Sequence, residues 1–380
     1  MGATFVDLKR AFDFVEPDKL PNVLKTQYLL DANYIALLYD YARNRSFTVL
    51  VNNEVSKPFH YNSICPQGST VAPLLFSLYF DGIKDVLDID YLLFADDLVL
   101  FTDSQDLSLV IQLLTNNLCK LNNWCLNYGM HINYNRTKWM LFHRTNVELT
   151  TTITVDNNYI ERATEFKYLG LWLDEKLSFI KHYEHVKSKI AAAIGGLNKL
   201  IRFLTPSLFK CLIKSMIYSI IDYALPIWGS IRPSKLDYLQ NKINKLLLHF
   251  FHPKTAKISN RNATLIYDDE IIYNILENCN VLTVRERFTH STATFVLMAL
   301  LDKYNHINSM REMFTFSRRS RRQILTLPRK NTEIMERNLP YHGAKVWNLL
   351  PPHIRDINTS VNSFAAAVSK WCLRTRRNLI

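Results

Sequence analysis

Two adjacent aspartates, Asp96 and Asp97, stand between two short apolar runs, residues 91–95 and 98–101. Short β-prone runs joined by a two-residue polar turn predict a hairpin with the acidic pair at its tip. The pair opposes stability, because desolvation and mutual repulsion both disfavour two ionised neighbours. A cation that binds both carboxylates removes that penalty. The turn is therefore a candidate metal site.

A third acid, Asp7, ends a short apolar segment that is predicted to be a strand over residues 3–8. Nucleotidyl transfer uses two divalent ions about 4 Å apart, and two or three carboxylates suffice to hold Mg²⁺. We expect Asp7 to join Asp96 and Asp97 if its strand pairs with the acidic hairpin in one antiparallel sheet. A strand-end role for Asp7 and a turn-forming role for Asp97 are the structural alternatives.

The bulk composition indicates a globular chain of two or three domains, with 380 residues of which 48 % are hydrophobic. No apolar run reaches the roughly 18 residues of a membrane span, and an early charge argues against a signal peptide.

The six cysteines show no C-x-x-C pairing, which favours a reducing compartment over a zinc knuckle. His249 and His252 are a weak metal candidate without a thiol partner. We expect a nuclear or cytoplasmic protein with no membrane partner.

Positive charge is concentrated near the C-terminus. The formal net charge is +12, and residues 310–380 hold 14 Lys and Arg against 4 Asp and Glu. Such a segment predicts contact with phosphate backbones, although a solvated face or a nuclear-import signal would also explain it. The candidate nucleic-acid contacts are Lys187, Lys189, Arg318, Arg319, Arg321 and Arg322.

Five ordered motifs resemble those of reverse transcriptases from non-long-terminal-repeat retrotransposons, the LINE-type elements that include jockey. They lie at residues 5–13 (FVDLKRAFD), 66–76 (PQGSTVAPLLF), 94–97 (FADD), 124–138 (ending NYNRTK) and 166–174 (FKYLGLWLD). Residues 341–351 (YHGAKVWNLLP), followed by Phe364, are similar to the C-terminal part of many such elements. The resemblance therefore touches nearly the whole chain.

The resemblance implies a role for each acid and for the nucleotide-binding loop. Asp7 and Asp96 would hold two Mg²⁺ ions, with Mn²⁺ as an alternative metal, and Asp97 would support them. Gln67 and Gly68 would lie against the incoming nucleotide, with Gly68 allowing close approach of the backbone.

Further roles follow from the other motifs. Phe12 matches the aromatic gate that excludes a ribose 2′-hydroxyl, although core packing would also explain the ring. Lys138 matches a lysine that assists the leaving pyrophosphate, with a plain surface lysine as the alternative. The segment Tyr168, Leu169 and Gly170 would grip the primer end, although Leu169 could equally belong to the core. Asp13 fits either the motif or a helix cap.

A second acidic pair needs a different interpretation. Asp268 and Asp269 mimic Asp96 and Asp97, but the apolar residues around them follow helical spacing. We expect them at a helix start, where negative charge is favoured.

The resemblance implies an α+β fold with a right-hand polymerase palm, in which helices pack behind an antiparallel sheet. The predicted division is a partial palm over residues 1–165, primer grip and helical thumb over 166–255, and a basic, mostly helical region over 256–380. Strands of the fingers subdomain and the family's endonuclease are expected upstream and are largely missing. Ile64 also replaces the family's usual glycine ahead of the second motif. We therefore interpret the chain as part of a longer polyprotein.

The predicted activity is an RNA-directed DNA polymerase that extends a primer 3′-hydroxyl by two-metal nucleotidyl transfer. Its partners would be an RNA template, a DNA primer and deoxynucleoside triphosphates, while the oligomeric state is left open. A catalytically inactive, truncated remnant that only binds nucleic acid is the alternative.

Overall fold

The chain divides into two compact units, Met1–Lys176 and Leu177–Ile380. The residues that the computed structural model describes are 1–12, 16–43, 45–61, 69–143, 152–253, 269–301, 308–317, 323–329 and 336–376. The division at residue 176 places the segment 166–174 in the first unit. The three-part division predicted from the sequence remains a prediction.

The described strands of the first unit are β1 Gly2–Val6, β2 Arg45–Phe47, β3 Leu50–Val51, β4 Glu54–Val55, β5 Phe59–Tyr61, β6 Asp90–Phe94, β7 Asp97–Thr102, β8 Lys138–Leu141, β9 Ile153–Val155, β10 Asn158–Arg162, β11 Glu165–Tyr168 and β12 Leu171–Asp174. A six-stranded sheet forms the centre of this unit, with the order β6-β7-β1-β8-β10-β9. The central strand β1 pairs antiparallel with β7 on one side and β8 on the other. Three further two-stranded ladders join β2 with β5, β3 with β4, and β11 with β12.

Both faces of the sheet are covered, because residues alternate in direction along each strand. Val6, Leu98 and Leu100 pack into the main core with apolar residues of the helix Leu107–Asn127. Phe5 belongs to a second cluster on the opposite face. The α-helices of this unit are Leu20–Tyr28, Ala32–Ala42, Ala72–Phe80 and Leu107–Asn127, with 3₁₀ turns at Pro17–Lys19 and Asp81–Asp85.

The α+β class is confirmed, and one detail of the sheet is corrected. An antiparallel sheet was predicted, but β10 pairs parallel with β8, so the sheet is mixed. β9 and β10 form an antiparallel pair, and β10 is the member of that pair that lies parallel beside β8.

The second unit is mostly helical in its described part, with an isolated antiparallel bridge between Phe316 and Leu325. Helix Asp269–Asn278 begins at the second acidic pair, as its periodicity predicted, and Asp268 lies outside the described residues. Within the described part of the chain, no helix is long and apolar enough to cross a membrane. The α-helices are Ile180–Leu200, Pro206–Ile213, Ser219–Asp222, Leu225–Trp228, Pro233–Phe251, Asp269–Asn278, Val284–Leu300, Asn308–Glu312, Leu339–Leu349 and Val361–Thr375, with a π-helical turn at Lys214–Tyr218 and a 3₁₀ turn at Ile201–Phe203.

A buried ion pair joins two helices of the second unit. The Arg376 guanidinium donates from Nε to Glu286 Oε1 at 2.7 Å, and both side chains are almost fully buried. Glu286 also completes the capping box with Thr283 at the start of helix Val284–Leu300. Removing either partner would leave a buried charge uncompensated, so this pair fixes the last helix onto the core.

Replacing either of two glycines of the second unit by alanine should change stability, in opposite directions. A Cβ on Gly196, in the exposed interior of helix Ile180–Leu200, meets no atom within 4 Å. Gly196→Ala should therefore raise the free energy of unfolding by about 0.5–1 kcal/mol. A Cβ on Gly229 would clash with the Phe288 ring and lie 2.7 Å from the Leu225 carbonyl oxygen, so Gly229→Ala should lower it by about 1–3 kcal/mol. Urea titrations of both variants check the opposite signs, and a stabilised Gly229→Ala would contradict the packing.

Candidate active site

The register between β1 and β7 brings the predicted acids to one end of the sheet. Val6 pairs with Leu98, so Asp7 and Asp97 follow as the next opposed positions. Phe94 pairs with Asp97, which leaves Ala95 and Asp96 as the two-residue turn of the hairpin. The sequence placed Asp96 and Asp97 in the turn, and that prediction was wrong by one residue. Ala95 takes the left-handed φ that such tight turns need, and Asp97 begins the strand.

The three carboxylates lie within electrostatic reach of one another. Burial raises the pKa of the Asp97 carboxyl, and the negative charges of Asp96 and Asp7 raise it further. Residues opposed across an antiparallel pair have Cα atoms about 4.5–5.5 Å apart. The fold therefore concentrates negative charge at a point where a cation would relieve the repulsion.

Asp7 is held by a turn that the sequence analysis did not use. Asn133 Nδ2 donates to Asp7 Oδ2 at 2.8 Å, and the Asn133 amide donates to the Asp7 carbonyl at 2.8 Å. The Asp7 amide donates to Thr137 Oγ1 at 3.2 Å, and Thr137 is fully buried. The signal was present in the fourth motif, but only Lys138 was singled out there. The carboxylate of Asp7 is thus oriented from the side away from Asp97.

The hairpin of β11 and β12 covers the face of the sheet that carries the acids. Phe5 stacks on Phe166 with ring centroids 4.3 Å apart, and Tyr168 lies 5.5 Å from Phe5. Burial raises the pKa of Tyr168, and the Asp97 charge contributes in the same direction, so this ring stands near the acids. Leu169 and Gly170 both adopt left-handed φ values in the two-residue turn, which favours glycine at position 170.

Two predicted site residues have structural partners. The half-buried Phe12 lies against Phe76 with ring centroids 4.5 Å apart. Lys138 pairs with Phe5 across the sheet, and its Nζ lies 2.6 Å from Glu161 Oε2. Its ammonium group is thus engaged by the Glu161 carboxylate. The exposed Arg136 belongs to the same turn as Asn133 and Thr137, and it makes no ion pair with any residue that the structure describes.

Other predicted contacts lie elsewhere or outside the described chain. Lys187 sits on helix Ile180–Leu200, where its Nζ lies 2.9 Å from Glu184 Oε2 and faces the Tyr238 ring. Lys189 is exposed on the same helix. Both belong to the second unit. The predicted residues outside the described chain are Gln67, Gly68, Arg318, Arg319, Arg321 and Arg322, together with Asp13 and Ile64.

The donor set of the three aspartates fits a hard divalent cation. Carboxylate oxygens are the ligands that Mg²⁺ prefers. Burial raises the pKa of Asp97, and the neighbouring charges of Asp96 and Asp7 raise it further, so a bound cation would stabilise the ionised group. Among the described residues, no group of three His, Cys, Asp or Glu side chains is placed so that its members could hold a metal ion by themselves. Magnesium in polymerase sites is commonly bound by one or two carboxylates and the substrate phosphates, so a closed protein cage is not required.

The comparison with protein families agrees with this geometry. Residues 2–173, slightly less than half of the chain, match the family described as reverse transcriptase (RNA-dependent DNA polymerase). The matched segment contains the central sheet, the three acids and the hairpin of β11 and β12. The resemblance predicted from the motifs is confirmed: the first unit is similar to reverse transcriptases, and this similarity implies a palm-type fold.

Relatives of known name come from insect mobile elements. The chain is 27 % identical over 256 residues to the probable RNA-directed DNA polymerase from transposon BS of Drosophila melanogaster, covering 63 % of this chain and 28 % of the relative. It is 23 % identical over 243 residues to the RNA-directed DNA polymerase from mobile element jockey of Drosophila funebris, covering 60 % and 26 %. A similar match, 25 % over 264 residues, covers 65 % of this chain and 28 % of the probable RNA-directed DNA polymerase from transposon X-element of Drosophila melanogaster. The chain thus spans little more than a quarter of these relatives.

The repulsion among the acids predicts that removing one charge stabilises the fold. Because the pKa of Asp97 is raised by folding, its stabilising contribution is present at low pH and is lost as the pH rises through that pKa. Asp97→Asn should therefore raise the free energy of unfolding at pH 7 by up to about 1 kcal/mol in EDTA. This increase in the free energy of unfolding should vanish below pH 3.8, the ordinary pKa of an aspartate side chain. It should shrink when Mg²⁺ is added.

Urea titrations at several pH values, with and without Mg²⁺, measure this effect. Asp90→Asn is the matched control, since Asp90 lies at the other end of the same hairpin, opposite Phe101. An Asp97→Asn variant that is no more stable than Asp90→Asn at pH 7 would contradict the electrostatic coupling.

Proposed function

We propose that this chain is the polymerase part of a retrotransposon reverse transcriptase, which extends a DNA primer on an RNA template with deoxynucleoside triphosphates. The observation that carries the proposal is the meeting of Asp7, Asp96 and Asp97 at one end of a palm-type sheet. The names of the relatives, which are RNA-directed DNA polymerases of mobile elements, support the same activity. The electropositive chain, with a formal charge of +12, suits polyanionic substrates.

In this proposal, Asp7 and Asp96 bind two Mg²⁺ ions and Asp97 supports them. Bound magnesium supplies Lewis acidity toward the primer hydroxyl and neutralises charge on the phosphates. Asn133 and Thr137 fix the carboxylate and backbone of Asp7 before substrate arrives. Arg136 offers an exposed cation in that same turn, whereas Lys138 is already paired with Glu161. We therefore favour Arg136 over Lys138 as the group next to the departing pyrophosphate.

The hairpin of β11 and β12 is proposed to hold the primer end. Its turn, Leu169 and Gly170, projects beyond the strands, while Phe166 and Tyr168 anchor it on Phe5. The anchoring rings fix the hairpin relative to β1, the strand that ends at Asp7. A primer end held by the turn would thus be positioned relative to the acids. Phe12 remains the proposed sugar gate, and its contact with Phe76 would keep the ring in place.

Primer extension on poly(rA)/oligo(dT) with Mg²⁺ tests the polymerase. Asp96→Asn should reduce incorporation at least about a hundredfold, the scale expected for one lost electrostatic group. Asp90→Asn, on the same hairpin, should retain normal incorporation. Loss of incorporation on adding EDTA should be reversed by Mg²⁺ or Mn²⁺.

The same assay separates the polymerase from an inactive, nucleic-acid-binding remnant. Nucleic-acid binding with no incorporation by the unmodified chain under any divalent metal would favour the remnant. Equal incorporation by Asp96→Asn and Asp90→Asn would show that the acids do not carry the chemistry.

Asn133 is predicted to position Asp7 without touching substrate. Asn133→Ala should lower primer extension about 10–100-fold and raise the Mg²⁺ concentration for half-maximal rate, because outer groups that orient metal ligands act on that scale. Asn135→Ala is the matched control, since Asn135 is exposed in the same turn. A variant with a normal metal requirement and only a reduced melting temperature would assign Asn133 a structural role.

A further inference from the structure

A cleft of about 540 Å³ opens on the second unit, outside the matched reverse transcriptase segment. Its wall is built from three helices, Pro233–Phe251, Val284–Leu300 and Leu339–Leu349, and from the turn that precedes the first of them. The residues that matter to its chemistry are Arg232, Phe288, Arg337, Tyr341, Lys345 and Leu349. The volume lies within the roughly 300–1,000 Å³ of small-ligand sites.

Two aromatic rings give the cleft an apolar surface. Phe288 and Tyr341 both line it and are half-buried, so part of each ring is accessible. The Phe288 ring lies directly against the backbone of Gly229, where any Cβ would collide with it. His342 contacts the carbonyl oxygens of Pro226 and Arg337, at 2.7 and 3.1 Å, and so fixes the helix that carries Tyr341. We call the surface formed by the Phe288 and Tyr341 rings the floor of the cleft. Because these contacts hold both rings in place, the floor is suited to stacking against a flat ring.

Positive charge surrounds this apolar floor. Arg232 and Lys345 are exposed at the cleft and make no ion pair with any residue in the described ranges. Arg285, another lining residue, is neutralised by its fork-like pair with Asp237. The other charged side chains of the lining are Arg232, Arg337 and Lys345, which are positive, and Glu336, which is negative. Their sum is positive. A rim of this kind attracts a ligand that carries negative charge beside an apolar body.

We infer that this cleft binds an unpaired nucleotide of a single-stranded polynucleotide, with the base on the Phe288 and Tyr341 rings and the flanking phosphates on Arg232 and Lys345. Single-strand sites combine a positively charged groove with aromatic rings on which bases stack. A duplex cannot place a base against the floor, because its bases are already stacked and paired. The inference goes beyond the proposed polymerase, since it adds a separate site on the second unit that holds a strand while chemistry occurs elsewhere.

Charge reversal on the full chain tests the phosphate contacts. Binding of fluorescein-labelled 12-nucleotide oligo(rU) is measured by anisotropy over a range of salt, without primer or nucleotides. The double variant Arg232→Glu/Lys345→Glu should bind at least tenfold more weakly at 0.15 M salt. The slope of log affinity against log salt should fall by roughly 1.4, since each neutralised phosphate of a single strand contributes about 0.7.

The matched control is Lys370→Glu/Arg374→Glu, which makes the same charge change on exposed residues of the helix Val361–Thr375. That control should retain the wild-type slope. If both double variants lost the same oligo(rU) affinity, the loss would follow from the change in net charge alone. That result would overturn the inference.

A stacking test is independent of charge. Tyr341→Ala should weaken oligo(rU) binding at least fivefold with an unchanged salt slope, and Tyr341→Phe should bind as the unmodified chain does. Oligo(dT) of the same length distinguishes the source of the strand: equal effects indicate recognition of base and phosphate, and an effect on RNA alone indicates an RNA strand. Normal binding by Tyr341→Ala, or a loss confined to duplex probes, would overturn the site.

A chain that carries Asp96→Asn allows the cleft site to be tested separately from polymerase activity. That variant should bind oligo(rU) normally and lose the binding when Arg232→Glu/Lys345→Glu is added. An unmodified chain with no primer extension but with cleft-dependent binding would refute the polymerase and leave the cleft site standing. The opposite result is primer extension by the unmodified chain together with equal oligo(rU) binding by Arg232→Glu/Lys345→Glu and Lys370→Glu/Arg374→Glu. That result would refute the cleft site and leave the polymerase standing.

Discussion

The pairing of β1 with β7 is the constraint on which the candidate site depends. Five consecutive residue pairs, from Gly2 with Thr102 to Val6 with Leu98, fix the register. A shift of one residue would turn every side chain to the other face. The apolar residues of β1 that pack on the helices behind the sheet prevent such a shift. The burial of hydrocarbon thus holds Asp7 and Asp97 together against their mutual repulsion.

Local backbone strain appears at the two hairpins around the acids. Ala95 and Leu169 adopt left-handed φ values, which disfavour side chains with a Cβ by about 1–2 kcal/mol. Both residues sit in two-residue turns next to proposed site residues. The surrounding ladders hold these turns in place, so the strain is compensated by the rest of the sheet. The turns set where Asp96 and the tip of the second hairpin project.

The two units use charge in different ways. In the first unit the acids are concentrated at one end of the sheet, and the Asp7 carboxylate accepts a hydrogen bond from the neutral side chain of Asn133. In the second unit some described cations are already paired, as in Arg376 with Glu286 and Arg287 with Asp222. A paired cation is less available to a polyanion. Arg232 and Lys345, which make no ion pair with any described residue, are therefore the more informative cations.

The sequence by itself determined the class of fold and predicted the ligand chemistry of the candidate site. Hard carboxylates, the order of the motifs and the apolar periodicities predicted the acidic hairpin, the reverse transcriptase resemblance and the helix that starts at Asp269. These features are local, so neighbouring residues encode them. Only the tertiary structure decided that the turn falls on Ala95 and Asp96, that β10 runs parallel to β8, and that Lys138 pairs with Glu161 while Asn133 holds Asp7. These outcomes depend on contacts between residues far apart in the chain, whose pairing one sequence does not display.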